Sequence, residues 1–514
     1  MRQSHRLIYN TGVSWGAKML EALIQFLLLP FMIHRLGAVE YSIFILIYSA
    51  TVIIDWISTG MGQSVVKYTS EYLSLNRMDK VNQVLGVSFA ITSISGVIIF
   101  ISLVSFSSPI VHFMDIDAEF IYAFQFSLII MSFMILFNLL AMPYVGVLYG
   151  LQRYDVYSVL QTVTRMIRAI SIVGYFLYYK PSIISLVVIF LITDILFQIM
   201  LVLITNRLLP NLRLSFQNFG FSIFKSLLNF GALIFLIQIS MALRVEAVNW
   251  TIAKISEPIF LTYIAIMHTP AALATKIVQS GTLTIMPVAS KYYSQGQKEI
   301  VVKLFNRATR YIFVICCSMA FCLVHILEGF LEIWMGDNYT FLTPYMVILT
   351  ISALVELAVS PAHHILKGIG KLGAILFARI LSGVICLITV IGGIIIFNSP
   401  LWAVTVGLSF AFLVSAYVQF VVCIKELRVK KLIFLWRTFG QTIISFVLIA
   451  FLSKIIIIVM GFDNIYILGI QACFFCVMFF VAFFNFFMDS DEKQDVQDII
   501  TIVRQRICFL SNTK

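Results

Sequence analysis

Arg165 and Arg168 stand three residues apart in an otherwise apolar stretch, so on a helix they share one face and present two guanidinium forks to the same space. Two such forks suit an anion with several oxygens, a phosphate above all. Other charges sit in comparably greasy surroundings. Lys18 and Glu21 share a face in one stretch, a spacing that permits a local ion pair, and Asp55, Asp194, Arg244, Glu246, Lys276, Glu356, Arg379 and Lys454 are scattered through others. A charge at mid-bilayer costs at least about 2.5 to 3.5 kcal/mol, so each such group should face protein or a water-filled space rather than acyl chains. Lys18, Arg165, Arg168, Arg244 and Lys276 are therefore the candidates to bind an anionic substrate. Glu21, Asp55, Asp194 and Glu356 are candidates either to bind a coupling H⁺ or Na⁺ or to serve as counter-ions. Arg379 and Lys454 are placed to snorkel toward headgroups, and the amides of Asn138, Gln161, Gln198, Gln238 and Asn249 read as bridges between helices.

Residues like these need elements that cross a bilayer. Of 514 residues 61% are hydrophobic and 11% charged, against about 25% charged in a soluble chain. That composition excludes disorder, collagen, coiled coil and a disulfide scaffold, each of which needs polar, Gly-rich or Cys-rich sequence. About 20 apolar residues span the hydrocarbon core, and fourteen stretches qualify: 11–33, 41–66, 83–106, 120–146, 157–179, 183–206, 226–250, 259–286, 305–328, 342–366, 373–397, 401–424, 438–460 and 465–488. The expected fold class is an all-α membrane protein.

The net charge of +11 could suggest a nucleic-acid partner, but its distribution argues against one. With the N-terminus inside, twenty-five of the 35 Lys and Arg fall in alternate loops on one side, and only Arg35, Lys180 and Lys254 on the other. Basic side chains resist translocation, so the excess charge reports topology: a multi-pass membrane protein with both termini cytoplasmic. Met1–Asn10 is short and basic, with no cleavable signal pattern.

Three weak internal matches agree on one offset. Asn10-Thr11-Gly12 matches Asn229-Phe230-Gly231, Ser70-Glu71-Tyr72 matches Ser290-Lys291-Tyr292, and Pro143, Leu148, Gly150 and Arg153 match Pro361, Leu366, Gly368 and Lys371. Offsets of 218 to 220 predict two six-helix lobes, 1–215 and 216–430, around a central cavity, followed by two additional spans in 431–488 and a cytoplasmic tail, 489–514. Segments 67–82 and 288–304 read as short cytoplasmic amphipathic pieces.

Other chemistries find no support. Seven of the eight cysteines fall inside spans, and Cys473-x-x-Cys476 lacks the βαβ setting of a redox motif. His363 and His364 are adjacent rather than at zinc-binding spacing. No Walker loop, dinucleotide-binding glycine pattern or nucleophile elbow occurs, so no cofactor is expected beyond a coupling ion.

Leu36-Gly37 with Glu40-Tyr41, the run Gly60 to Tyr68, Leu148-Tyr149-Gly150-Leu151-Gln152-Arg153, and Trp334-Met335-Gly336-Asp337-Asn338-Tyr339 together resemble the bacterial polysaccharide flippases. That family includes the O-antigen lipid-linked oligosaccharide transporters, in the superfamily that also holds multidrug and toxic compound extrusion proteins and lipid II flippases. The resemblance covers essentially the whole chain. It implies a non-enzymatic transporter that carries a polyprenyl-diphosphate-linked glycan to the periplasmic leaflet by alternating access. The partners it implies are membrane lipid, a polysaccharide polymerase and a chain-length regulator. Two rivals follow from the same residues. A cation-coupled multidrug exporter of the same fold would favour an acidic pocket, and a membrane glycan polymerase or acyltransferase would need a large outer loop, whereas the longest here is Ser107 to Glu119.

Overall fold

The computed structural model describes residues 2–114, 116–214, 220–282, 285–429, 431–444, 446–447, 474–479, 481 and 483–484. Among them there are helices and no strands. In chain order the helices are α1 (Arg2–Leu36), α2 (Ala38–Ser74), α3 (Met78–Met114), α4 (Ile121–Gly150), α5 (Tyr154–Tyr178), α6 (Ile183–Leu208), α7 (Phe221–Ile255), α8 (Ile259–Thr282), α9 (Ile285–Ser294), α10 (Lys298–Met335), α11 (Thr343–Ala358), α12 (Ser360–Gly368), α13 (Leu372–Phe397), α14 (Pro400–Leu427) and α15 (Lys431–Leu435).

Among the described residues ten helical stretches are long and apolar enough to cross a membrane. They coincide with ten of the fourteen expected spans. Two more expected spans are present as helices: α2, and α5, whose hydropathy is lowered by Gln161, Arg165 and Arg168. Most of the expected spans 438–460 and 465–488, with Lys454, Cys473 and the tail 489–514, lies outside the described residues.

Three local expectations are corrected. Residues 67–74 are not a separate amphipathic piece but the last turns of α2, which runs 37 residues without interruption. The outer segment 107–119 is mostly helix, because α3 continues to Met114 through Pro109. The stretch 342–366 is two helices, α11 and α12, broken at Val359–Ser360 where Pro361 at the start of α12 has no N–H to give the preceding turn. Its repeat counterpart Pro143 leaves α4 unbroken.

The chain divides into two compact units. One comprises residues 1–281 and 372–415, the other 282–371 and 416–514. In the first, α2 packs along α4 and α7, α3 along α4, α4 along α6, α1 along α5, and α7 along α13; Val65, Val84, Leu85, Val147 and Leu227 form a buried cluster there. In the second, α10 packs on α11, α12 and α9, with α9 against α12.

Two pairs of helix ends share one cap geometry at offsets of 218 and 220 residues, and the same cap also closes α14 at Arg428 (φ 54°). α2 closes at Asn76 (φ 55°), whose N–H donates to Leu73 O at 3.1 Å while the Arg77 N–H donates to Tyr72 O at 2.9 Å. Two hundred and twenty residues later, α9 closes at Gly296 (φ 76°), with N–H bonds from Gly296 to Tyr293 O at 3.1 Å and from Gln297 to Tyr292 O at 3.0 Å. α4 closes at Gln152 (φ 58°), with Gln152 on Tyr149 O and Arg153 on Leu148 O. At an offset of 218, α12 closes at Gly370 (φ 80°), with Gly370 on Lys367 O and Lys371 on Leu366 O. Each is a left-handed cap with paired bonds satisfying the last carbonyls. The glycines beside them are constrained alike. A methyl on Gly150 would lie 3.3 Å from the Ser70 nitrogen, and one on Gly368 the same distance from the Ser290 nitrogen.

Candidate functional site

The spine of the site is α5. Tyr157, Gln161, Arg165 and Arg168 succeed one another at four-, four- and three-residue intervals, with Thr164 three after Gln161 and four before Arg168, which places all five on one stripe roughly 16 Å long. All five line a cavity of about 370 Å³ within the first unit, closed by residues of α2, α4 and α6. A second cavity, of about 330 Å³, lies between α1, α2, α5, α6 and α8. Tyr48, Arg165 and Arg168 line both. Positions along the shared helices order the two. On α2 the second cavity takes residues 41 to 48 and the first extends to 62 to 66; on α6 the second takes Phe190 and the first Asp194 to Gln198. The cavities are thus stacked along the helix axes and meet at the two arginines.

Each arginine is held by a carboxylate from a neighbouring helix. Arg165 pairs with Glu21 of α1, which is buried at 7% exposure. Arg168 donates from Nη2 to Asp194 Oδ1 at 2.5 Å and from Nε to Thr193 Oγ1 at 2.8 Å, and its guanidinium lies 4.3 Å from the Phe190 ring centre. Asp194 also accepts from Asn138 Nδ2 at 3.1 Å, and Gln198 donates to Asn138 Oδ1. A polar chain therefore crosses from α5 through α6 to α4. Its amides bridge helices, as their type suggested, and also line the first cavity.

The carboxylates neutralise two of the three cations here. The third, Lys276 of α8, donates from Nζ to the neutral Gln25 Oε1 at 2.6 Å. Among the described residues no carboxylate pairs with it, so the neighbourhood keeps one excess positive charge on the second cavity.

Of the five candidate cations the structure brings together Arg165, Arg168 and Lys276. Lys18 is exposed and absent from either lining, and the local pair open to it is replaced by the Glu21–Arg165 pair. Arg244 is buried, packed over the Phe412 ring at 4.6 Å, with its carbonyl accepting from Cys386 Sγ, away from both linings. Of the carboxylates, Glu21 and Asp194 are the arginines' counter-ions. Glu356 lies in the last turn of α11 in the second unit, and the Asp55 side chain lies outside the described residues. Helices α1, α2 and α8 line the second cavity as the equivalence of spans suggested, whereas α7 contributes to neither and α5 and α6 contribute to both.

Sequence reasoning passed over Tyr48, Gln25 and Arg310. Tyr48 and Gln25 carry no charge to mark them. Arg310, counted with the loop cations, is buried at 5% exposure in α10, donating to Gln441 Oε1 at 3.2 Å and lying over Phe483. No group of three or more metal-ligating side chains occurs among the described residues.

Residues 16–172 match the MatE family model. The lipid II flippase MurJ in its inward closed conformation superposes with a TM-score of 0.71 at 14% identity, covering 93% of this chain and 99% of the flippase. An inward-facing multidrug resistance MATE family transporter of the MOP superfamily superposes with a TM-score of 0.70 at 14% identity, covering 81% and 98%. The fold is that of the MATE transporters. In sequence the chain is 21% identical over 359 residues to the uncharacterized membrane protein EpsK of Bacillus subtilis (strain 168), covering 69% of this chain and 70% of that protein. It is a multi-pass membrane protein of this architecture.

Proposed function

We propose that the protein is a transporter, not an enzyme, that carries a polyprenyl-diphosphate-linked glycan across the inner membrane for a surface polysaccharide such as O-antigen. The observation that carries this reading is the pair Arg165 and Arg168 on one helix face, lining two stacked cavities with Lys276 beside them. A diphosphate cannot enter hydrocarbon unaided, because its desolvation is prohibitive. Guanidinium forks replace its water with bidentate bonds. The polyprenyl chain has no such penalty and stays in lipid. Coverage of 93% of the chain by the lipid II flippase, against 81% by the multidrug transporter, supports a chain longer than the multidrug core, with the two lobes and two additional spans read from sequence.

Glu21 and Asp194 occupy the forks when cargo is absent. An arriving diphosphate exchanges with them, and the site opens first from the cytoplasmic side and then from the periplasmic one. Asp55 and Glu356 are the carboxylates assigned to a coupling H⁺ or Na⁺. Both termini are cytoplasmic, and the delivered glycan goes to a polymerase and its chain-length regulator.

The test is leaflet transfer of a defined lipid-linked oligosaccharide in proteoliposomes. Removing an arginine alone strands a buried carboxylate, so the pairs are replaced together, as Arg165→Met with Glu21→Leu and Arg168→Met with Asp194→Leu. Both double variants should insert and purify normally yet lose transfer; full transfer by either refutes the phosphate role of its arginine. The multidrug reading is favoured by the nearly equal likeness to the multidrug transporter. It requires efflux of lipophilic cations with transfer of the glycan lipid absent.

A further inference from the structure

The first cavity differs from the second in chemistry as well as position. The second has mostly aliphatic and aromatic walls, among them Ile24, Leu28, Leu29 and Phe44. The first has Gln161 and Gln198 with the phenols Tyr149 and Tyr157, and the arginines stand at one end of it. Gln198 is 8% exposed, and its Oε1 is buried without a hydrogen-bond partner among the described residues. A buried acceptor left unmatched is costly, and Gln198 itself lines the cavity, so a rotation of its amide offers the oxygen to a ligand there that brings a donor. Tyr149 and Tyr157 stand edge to face, 5.0 Å between ring centres, so each ring presents an apolar body with a polar tip. Aromatic faces, amides and an unmatched acceptor are what a ring bearing both C–H faces and hydroxyl donors requires.

We infer that the first cavity is a sugar subsite, which binds the glycan unit next to the diphosphate while Arg165 and Arg168 hold the phosphates at the mouth of the second cavity. The inference rests on the cargo being a lipid-linked glycan. It goes further by placing selection of the sugar on α4, α5 and α6 of one unit. The hydroxyls of the first sugar donate to Gln198 Oε1 and exchange bonds with the Gln161 amide, and its C–H face lies on the tyrosines. A site built to hydrogen-bond hydroxyls rejects analogues that lack them much more sharply than an apolar pocket rejects a size change.

The experiment measures equilibrium binding of two probes to the full-length protein in nanodiscs: polyprenyl diphosphate bearing one N-acetylhexosamine, and polyprenyl diphosphate alone. The native protein should prefer the sugar-bearing probe. Gln161→Leu and Gln198→Leu should each shrink that preference by about threefold to tenfold, the range for one lost hydrogen bond. Arg165→Met with Glu21→Leu should weaken both probes alike and keep their ratio. Equal binding of the two probes by the native protein, or an unchanged ratio in both glutamine variants, overturns the subsite while leaving the cargo reading intact. Failure of the native protein to bind either probe overturns the cargo reading and the subsite with it.

Discussion

The Arg168–Asp194 pair offers a quantitative test of the site. Asp194→Asn removes one charge of a pair whose side chains retain only 17% and 19% exposure. Breaking a buried pair on one side costs about 3 to 5 kcal/mol, because the partner is left charged in a poor solvent. Some water reaches both groups here, and Arg168 keeps its bond to Thr193 and its packing on Phe190, so the lower end applies. The expected loss is about 3 kcal/mol, which is roughly a hundredfold in the unfolding equilibrium. Arg168→Met should cost a similar amount, since it strands Asp194 with only the Asn138 amide. Because each single variant strands the opposite member of the pair and the double variant strands neither, the double variant should lose less than their sum, with a coupling of about 2 kcal/mol. Reversible unfolding in mixed micelles, run as a double-mutant cycle, measures it. Additive losses within about 0.5 kcal/mol would show that the two groups do not sense each other, and the counter-ion role of Asp194 would have to be abandoned.

Three further outcomes are expected. Gly146→Ala puts a methyl 2.5 Å from Cβ of the fully buried, stiff Val65 and should cost about 1 to 3 kcal/mol, whereas Gly174→Ala meets nothing within 4 Å and should stabilise by up to about 1 kcal/mol; thermal melts of the two purified variants should move in opposite directions. Lys371 bonds Glu426 Oε1 at 3.0 Å, and that bond holds its ammonium above the usual lysine value of 10.5. The pair's contribution is therefore present at neutral pH and lost as pH climbs past the raised value, so the melting difference between native protein and Lys371→Met should vanish at high pH; a difference that persists there excludes the charge as its cause. Cys322 and Cys476 lie with sulfurs 3.4 Å apart, and mild oxidation should join them, detected as a linked peptide pair by mass spectrometry that Cys322→Ser removes.

Much of this was legible from residue types. Apolar length located the spans because a bilayer imposes a fixed thickness, and the shared face of Arg165 and Arg168 on α5 was legible because two cations stand three residues apart in an apolar stretch, whereas Gln161 on the same stripe read only as a bridge between helices. Partnership was not legible. Glu21 lies one turn from Lys18 yet pairs with Arg165, 144 residues away in sequence, because α1 and α5 pack side by side and spacing within one helix says nothing of the next. Arg244 has the same composition signal as Arg168 but turns toward Phe412, a choice set by which face of α7 meets its neighbours. Tyr48 stayed hidden because an uncharged ring in a membrane helix has many ordinary uses.

The duplicated helix endings at Asn76 and Gly296, and at Gln152 and Gly370, bear on how such a chain diverges. Lipid asks of an outward face only that it be greasy, so side chains there drift freely among Leu, Ile, Phe and Val. A terminus has stricter demands: its final carbonyls must find donors before the chain turns back, and few residues tolerate the dihedral that allows it. A repeat in a polytopic protein is therefore best sought at these punctuation points, where spacings of 218 and 220 residues recur in four short turns.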